Sequence, residues 1–110
     1  MHFHWDEWNI EHIAEHDVDA DEAEEIVKGA RSPYPRRMGK AKILVRGATR
    51  SGRHLQVIYV MRPVDSFNIE QFPLEVRLLL GEVDTIAYVI HARPLTDAER
   101  RAARKGRNKK

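Results

Sequence analysis

The sequence contains no cysteine, and it has no long apolar run. Disulfide frameworks, thiolate metal sites and a cysteine nucleophile are therefore excluded, and a reducing compartment suits the composition. No apolar segment approaches the roughly 20 residues that a membrane-spanning helix needs. The N-terminal segment MHFHWDEWN has neither the basic start nor the apolar stretch of a signal peptide. The sequence therefore predicts a cytoplasmic protein.

Charge of one sign is missing from long stretches of the chain. Residues 1–27 hold ten acidic residues and no Lys or Arg, whereas residues 28–62 hold ten Lys or Arg and no acidic residue. Residues 100–110 add seven more Lys or Arg and no acid. The net charge of +2 therefore conceals surfaces of opposite potential, of which a basic one suits phosphate.

The 110 residues suit a single domain. A short strand in HFHW precedes two helices, which Asp6 and Asp19 are expected to cap, with Glu22 completing a capping box at the second helix. The segments AKILVRGA, HLQVIYVMR and TIAYVIHAR are typical of strands, and TRSGR between the first two predicts a hairpin. The TDAE segment predicts the start of a final helix.

This order of elements predicts an α+β fold, with a small, mainly antiparallel sheet, two N-terminal helices and a C-terminal helix. We expect the domain to cover residues 1–105 and the basic tail, residues 106–110, to be disordered. Alternation along the last strand predicts that Val89, His91 and Arg93 share one face of the sheet, and that Tyr88 lies on the other.

The segment HIAEHDV contains His-x-x-Glu-His, a spacing that some zinc peptidases use. On a helix, His12 and His16 would share a face and could ligate one cation, with Glu15 as the base for a bound water. A third protein ligand is not evident. A zinc-dependent hydrolase is therefore a remote alternative. The structural interpretation is that His12 lies on the helix surface and that His16 ends the helix, where an imidazolium suits the helix dipole.

Basic side chains and histidines near the predicted hairpin and last strand suggest a different chemistry. Metal-independent RNA cleavage must deprotonate the 2′-hydroxyl, protonate the leaving 5′-oxygen and neutralise the phosphate. Imidazole and carboxylate groups suit the proton transfers, and guanidinium suits the phosphate. If the hairpin neighbours the last strand, the candidate groups converge: Arg46, Arg50, Arg53, His54, His91 and Arg93.

Each candidate also has a structural interpretation. The hairpin arginines could be solvated charges, His91 a polar residue on a half-exposed strand, and Arg93 the partner of an acidic helix residue. Glu99 could serve only as the third residue of the TDAE capping box. Tyr59 could stack on a base, although Tyr59 and both tryptophans, Trp5 and Trp8, are more often core residues.

The segments WDEWNIEHIAEHDV, DEAEEI, RSGRHLQVIYV and VIHARPLTDAERR resemble the BrnT family of toxins from bacterial type II toxin–antitoxin systems. The resemblance covers residues 3–62 and 85–101. It implies a small cytoplasmic ribonuclease with a RelE-like fold, needing no metal or other cofactor. It also implies a cognate antitoxin, typically one that binds operator DNA, and assembly as a homodimer or a toxin–antitoxin hetero-oligomer.

Within this resemblance, His16 matches the family's helix-ending histidine, Arg93 its Ala-Arg position, and Arg100 its Glu-Arg pair. We expect catalytic roles among Arg93, His91, His54, His16 and Glu99. We expect phosphate contacts from Arg46, Arg50, Arg53 and Arg100.

The sequence also departs from the family pattern. Asp17 stands where the family usually has glycine, Glu15 where it often has lysine, and residues 63–84 form an insertion that could be an extended hairpin. Asp tolerates a left-handed turn less well than glycine. These departures leave open an alternative function, a non-catalytic module of the same fold that binds RNA or a partner.

Overall fold

A computed structural model of the chain describes residues 1–39, 41–63 and 85–108, without the side chains of residues 103–108. Within these ranges, helices α1 (Glu7–Ala14) and α2 (Ala20–Lys28) precede the strands, and helix α3 (Asp97–Asn108) follows them. The strands are β1 (Arg36–Arg37), β2 (Lys42–Ala48), β3 (His54–Pro63) and β4 (Thr85–Pro94). The predicted α+β fold is confirmed. None of these helices is both long and apolar enough to cross a membrane.

Short-range hydrogen bonds at the N-termini fix where the first two helices begin. The Asn9 backbone N–H donates to Asp6 Oδ1 at 3.1 Å, and the Asp6 N–H donates to the Asn9 side chain at 2.8 Å. Asp19 and Glu22 make the same reciprocal pair at α2. Each box satisfies two N–H groups that a helix start would otherwise leave unpaired, so both predicted caps are confirmed.

The corner between α1 and α2 turns through Asp17, whose φ of 61° lies in the left-handed region. A non-glycine residue is strained there, although Asp tolerates it better than most. The Asp17 carboxylate lies 4.0 Å from the Arg53 guanidinium, but it is fully exposed to solvent, so this ion pair contributes little stability. The turn is therefore formed with a strained residue at position 17.

Replacing Asp17 by glycine is expected to raise the free energy of unfolding, because glycine adopts a positive φ without strain. The matched control is Asp17→Ala, which also removes the carboxylate but keeps the Cβ. We expect the glycine variant to be more stable than the alanine variant by about 1 kcal/mol, measured by urea denaturation. Equal stabilities of the two variants would show that the corner stores no such strain.

The sheet has the strand order β1-β2-β3-β4, and all its neighbours are antiparallel. The predicted hairpin joins β2 to β3, with the Thr49 N–H bonded to the Arg53 carbonyl at 2.8 Å and Gly52 at a φ of 91°. The predicted N-terminal strand is reduced to a parallel bridge between Phe3 and Ala87. β1 lies within the segment SPYPRRMGK, whose prolines and glycine are typical of turns.

Helices α1 and α2 cover one face of the sheet and close the core with it. The buried core residues include Ile13, Val18, Ala23, Ile26, Val45, Leu55, Val57, Tyr59, Ala87, Val89 and Ala92. Tyr59 is only 3% exposed, and burial raises the pKa of its hydroxyl. The suggestion that Tyr59 stacks on a base is therefore wrong, because alternation places it beside Leu55 and Val57 under the helices.

A β-bulge interrupts β4. Ile58 pairs with His91 whereas Tyr59 pairs with Val89, so Ile90 is an extra residue in β4. Residues on either side of a bulge no longer follow simple alternation. The prediction that Val89 shares a face with His91 and Arg93 is therefore wrong, since Val89 lies in the core with Ala92.

Two predictions concern the poorly patterned parts of the chain. The tail was expected to be disordered from Gly106, but α3 continues to Asn108, in keeping with the strong helix propensity of Ala, Arg and Lys around that glycine. Of the predicted insertion at residues 63–84, Pro63 ends β3, and the rest lies outside the described residues.

Candidate functional site

Helix α1 lies along β4, and ring contacts connect the two elements at both ends of their contact. At one end, the Trp8 and Tyr88 ring centroids are 6.2 Å apart. At the other end, the His16 and His91 centroids are 5.7 Å apart, with the rings tilted by 60°. His12 stacks on Trp8 at 4.8 Å. We call these five residues the α1–β4 seam.

Local structure explains why these rings meet. Trp8, His12 and His16 recur every four residues, so they follow one side of α1 and of the turn that continues it. On β4, simple alternation would place Tyr88 and His91 on opposite faces. The bulge pairs Tyr88 with Val60 and His91 with Ile58, which brings both rings to the same face.

His91 is half-buried, and its surroundings disfavour the charged form. Burial lowers the pKa of His91 from its ordinary value of 6.5, and the positive charges of His16, Arg93 and His12 lower it further. His91 therefore stays neutral at pH 7, and a neutral imidazole can accept a proton. His16 is exposed to solvent.

The lowered pKa of His91 predicts a pH dependence of stability. Between the folded-state pKa and about 6.5, the unfolded chain binds a proton at His91 that the folded chain does not. The free energy of unfolding should therefore fall as the pH drops below about 6.5. Urea denaturation at pH 7.5 and 5.5 should show a smaller loss for His91→Gln than for the wild type. An identical loss in both proteins would contradict this assignment.

Arginines from two strands share one carboxylate on the face of the sheet that carries His91. Arg93 binds Glu99 in a two-pronged ion pair with distances of 2.8 and 2.9 Å, and Arg46 Nη2 reaches the same carboxylate at 3.0 Å. The register aligns Arg46, Gln56 and Arg93 across β2, β3 and β4, and Arg46 Nε donates to Gln56 Oε1 at 3.0 Å. The predicted convergence is confirmed for Arg46 and Arg93. We call these four residues the arginine–glutamate network.

Glu99 has a structural role within this network. Its carboxylate accepts the Thr96 N–H, and its own N–H donates to the Thr96 hydroxyl, so the predicted capping box of α3 is confirmed. The hydrogen bond from Arg93, followed by that from Thr96, holds the pKa of Glu99 well below its usual range. A carboxylate held ionised in this way is a weak proton acceptor, which disfavours Glu99 as a general base.

The other candidate residues lie elsewhere. The Arg53 guanidinium binds both carboxylate oxygens of Glu22 on α2, at 2.7 and 2.6 Å, and the Arg50 backbone N–H donates to Glu25. The prediction that Arg50 and Arg53 join Arg93 is therefore wrong, because acidic residues of α2 hold the hairpin turn at that helix. Arg100 pairs with Asp97 on α3.

His54 begins β3 and is exposed. Alternation places it on the same face as Gln56, two residues away, so it borders the arginine–glutamate network. His54 thus remains a candidate by position.

The His-x-x-Glu-His spacing does not form a metal-binding helix face. Helix α1 ends at Ala14, so the motif crosses the end of the helix at Glu15. His12 stacks on Trp8, whereas His16 contacts His91. Among residues 1–39, 41–63 and 85–102, no group of three His, Asp or Glu side chains is arranged to hold a metal.

Sequence reasoning missed the aromatic half of the seam. Trp8 was expected to be a core residue, but it is 54% exposed. The four-residue spacing of Trp8, His12 and His16 could have revealed their shared side. The contribution of Tyr88 depends on the bulge, which left no signal in the sequence.

Comparisons of the chain with protein-family models, with curated proteins and with solved structures gave no match.

Proposed function

We propose that this chain is a BrnT-like toxin, a cytoplasmic, metal-independent endoribonuclease that a cognate antitoxin neutralises. The observation that carries the proposal is the contact between His16 and His91, with His91 held neutral beside an exposed imidazole. A neutral and a protonated imidazole acting together supply both proton transfers that cleavage through the 2′-hydroxyl requires. The resemblance to the BrnT family supports the same assignment.

In this mechanism, His91 accepts the proton of the 2′-hydroxyl, whose oxygen attacks the adjacent phosphorus. The bond from phosphorus to the 5′-oxygen breaks, and His16 donates a proton to the leaving oxygen. The products are a 2′,3′-cyclic phosphate and a free 5′-hydroxyl. No oxidant, metal or further reactant is needed, and the two imidazoles end in exchanged protonation states that solvent restores.

The arginine–glutamate network supplies positive charge near this pair. Arg46 and Arg93 carry two positive charges against one negative charge on Glu99, which leaves the network with a net charge of +1. The positive charge of Arg93 contributes to lowering the pKa of His91. Arg93 is therefore positioned to stabilise the charge that develops on the phosphate.

The test is incubation of the purified chain with single-stranded RNA in EDTA. We expect cleavage that leaves 2′,3′-cyclic phosphate ends, and no cleavage of an RNA with a 2′-deoxy or 2′-O-methyl group at every residue. Arg93→Ala should cleave more slowly. RNA that stays intact in EDTA, or cleavage that requires an added metal, would refute the proposal.

A non-catalytic RNA-binding module is the second candidate, and the ion pairs favour it. Arg46, Arg53 and Arg93 all pair with carboxylates of the same chain, so their charge is partly neutralised before RNA arrives. Intact RNA with measurable binding in the same assay would support this candidate.

Replacing Glu99 by glutamine is expected to strengthen binding of a non-cleavable 2′-O-methyl RNA several-fold at low salt. The change frees the charge of Arg46 and Arg93, while the amide oxygen can still complete the capping box. Fluorescence anisotropy measures the effect. The matched control is Asp97→Asn, which alters the net charge equally but lies outside the network. Equal gains in both variants would show that only net charge matters.

A further inference from the structure

The most exposed aromatic side chain of the described residues lies on the α1–β4 seam, at the end opposite the proposed catalytic pair. Trp8 is 54% exposed, although an indole is usually largely buried. It occupies the side of α1 that carries His12, so the exposure is not an effect of a frayed chain end. A large aromatic side chain that stays half exposed on a capped helix is suited to receive a ligand.

The rings around Trp8 are close to parallel. The His12 ring lies within 10° of the Trp8 plane, the Tyr88 ring within 18° of it, and the His4 ring within 23° of Tyr88. The rings of His4, Tyr88, Trp8 and His12 therefore form a row that runs from the segment before α1 along the seam. Flat, parallel aromatic groups favour the stacking of unpaired nucleobases, because every base has a π face.

Charge at this row also suits a nucleic acid. The groove beside Trp8 is lined by Asp6, Trp8, Arg62, Tyr88 and Ile90. The Asp6 carboxylate is engaged, since it accepts the Tyr88 hydroxyl at 3.0 and 3.1 Å and caps α1. The exposed Arg62 guanidinium lies 5.4 Å from the Tyr88 ring centroid, where it can meet a phosphate.

The same features disfavour a protein as the occupant. A groove that receives a helix of a partner is usually lined by aliphatic side chains, whereas Ile90 is the one aliphatic residue among the described residues that line this groove. The remaining surface consists of rings and charged groups. His12 also connects the row to the catalytic pair, because its charge acts on His91.

We infer that Trp8, flanked by His12 and Tyr88, is a stacking platform for one unpaired nucleobase of a single-stranded RNA, with Arg62 contacting its backbone. The inference rests on the proposed function for the choice of RNA as the ligand. It adds a base-binding subsite on the α1–β4 seam, which positions the chain of the substrate across His16 and His91.

The experiment measures binding of a labelled 2′-O-methyl pentaadenylate by fluorescence anisotropy, so that no cleavage occurs. Trp8→Ala is expected to weaken binding by about 5- to 150-fold, since stacking on an aromatic side chain contributes that much per base. Trp8→Phe should keep most of the affinity. Ile10→Ala is the matched control, because Ile10 is an exposed apolar residue on the same helix.

An abasic oligomer of the same length and charge separates stacking from phosphate binding. It should bind the wild type more weakly than pentaadenylate, and Trp8→Ala should not weaken it further. Unchanged binding of pentaadenylate to Trp8→Ala would overturn the inference. The inference would also be overturned if Trp8→Ala changed only self-association, measured by light scattering, and not RNA binding. That result would assign the surface to a protein contact.

The outcomes distinguish this inference from the proposed function. If binding of pentaadenylate depends on Trp8 but RNA stays intact in EDTA, the ribonuclease is refuted and the stacking platform is supported. Cleavage of RNA in EDTA, together with unchanged binding of pentaadenylate to the Trp8→Ala variant, would support the ribonuclease and refute the stacking platform.

Discussion

Replacing His91 by alanine is expected to slow RNA cleavage by about 10²- to 10⁴-fold, the usual contribution of a general acid or base. The side chain is half-buried, is kept neutral by burial and nearby positive charge, and contacts His16. The loss should appear in single-turnover rates measured in EDTA. Because the pKa of His91 lies below its ordinary value of 6.5, wild-type cleavage should persist below that pH.

Two further variants test whether His91 and His16 act together. The double variant His16→Ala, His91→Ala should be only slightly slower than either single variant, because groups that act as a unit have non-additive effects. His54→Ala provides the matched control, since His54 is an exposed histidine on the same face of the sheet. A larger loss for His54→Ala than for His91→Ala would transfer the role of the base to His54.

Replacing Ile13 by alanine is expected to lower the free energy of unfolding by about 2–5 kcal/mol. Ile13 is fully buried in the core, and its side chain anchors α1 against the sheet. The truncation removes apolar contacts and leaves a cavity that the neighbours fill only partly. Urea denaturation monitored by circular dichroism measures the loss.

The matched control is Ile10→Ala on the same helix. Ile10 is 46% exposed, so its truncation should change the free energy of unfolding by no more than about 0.5 kcal/mol. Since α1 carries Trp8 and His12 and leads directly into His16, the Ile13 variant should also cleave RNA more slowly when it is still folded. Similar destabilisation by both variants would show that α1 does not dock through Ile13.

Much of the fold could be predicted from the sequence because its signals are local. The capping boxes at Asp6, Asp19 and Thr96 each involve residues three apart, and the structure contains all of them. The strands and the TRSGR hairpin follow from side-chain alternation and from a glycine at a positive φ. The turn at Asp17 likewise follows from its place between the two predicted helices.

The candidate site was less predictable, because its parts meet through long-range packing. Their places near the hairpin and on the last strand predict that Arg46, His91 and Arg93 converge, and the three residues share one face of the sheet. The same pattern wrongly predicts that Arg50 and Arg53 join them. Glu22 and Glu25 lie far from the hairpin along the chain, and only the packing of α2 showed that they bind it.

The sequence by itself determined the helix starts, the three long strands, the hairpin and the segregation of charge, because each depends on neighbouring residues or on composition. Only the tertiary structure decided that Tyr88 and His91 share a face, since one extra residue at Ile90 reverses the alternation of β4. It also decided that His12 and His16 contact Trp8 and His91 rather than forming a metal site, because α1 ends at Ala14 and packs along β4.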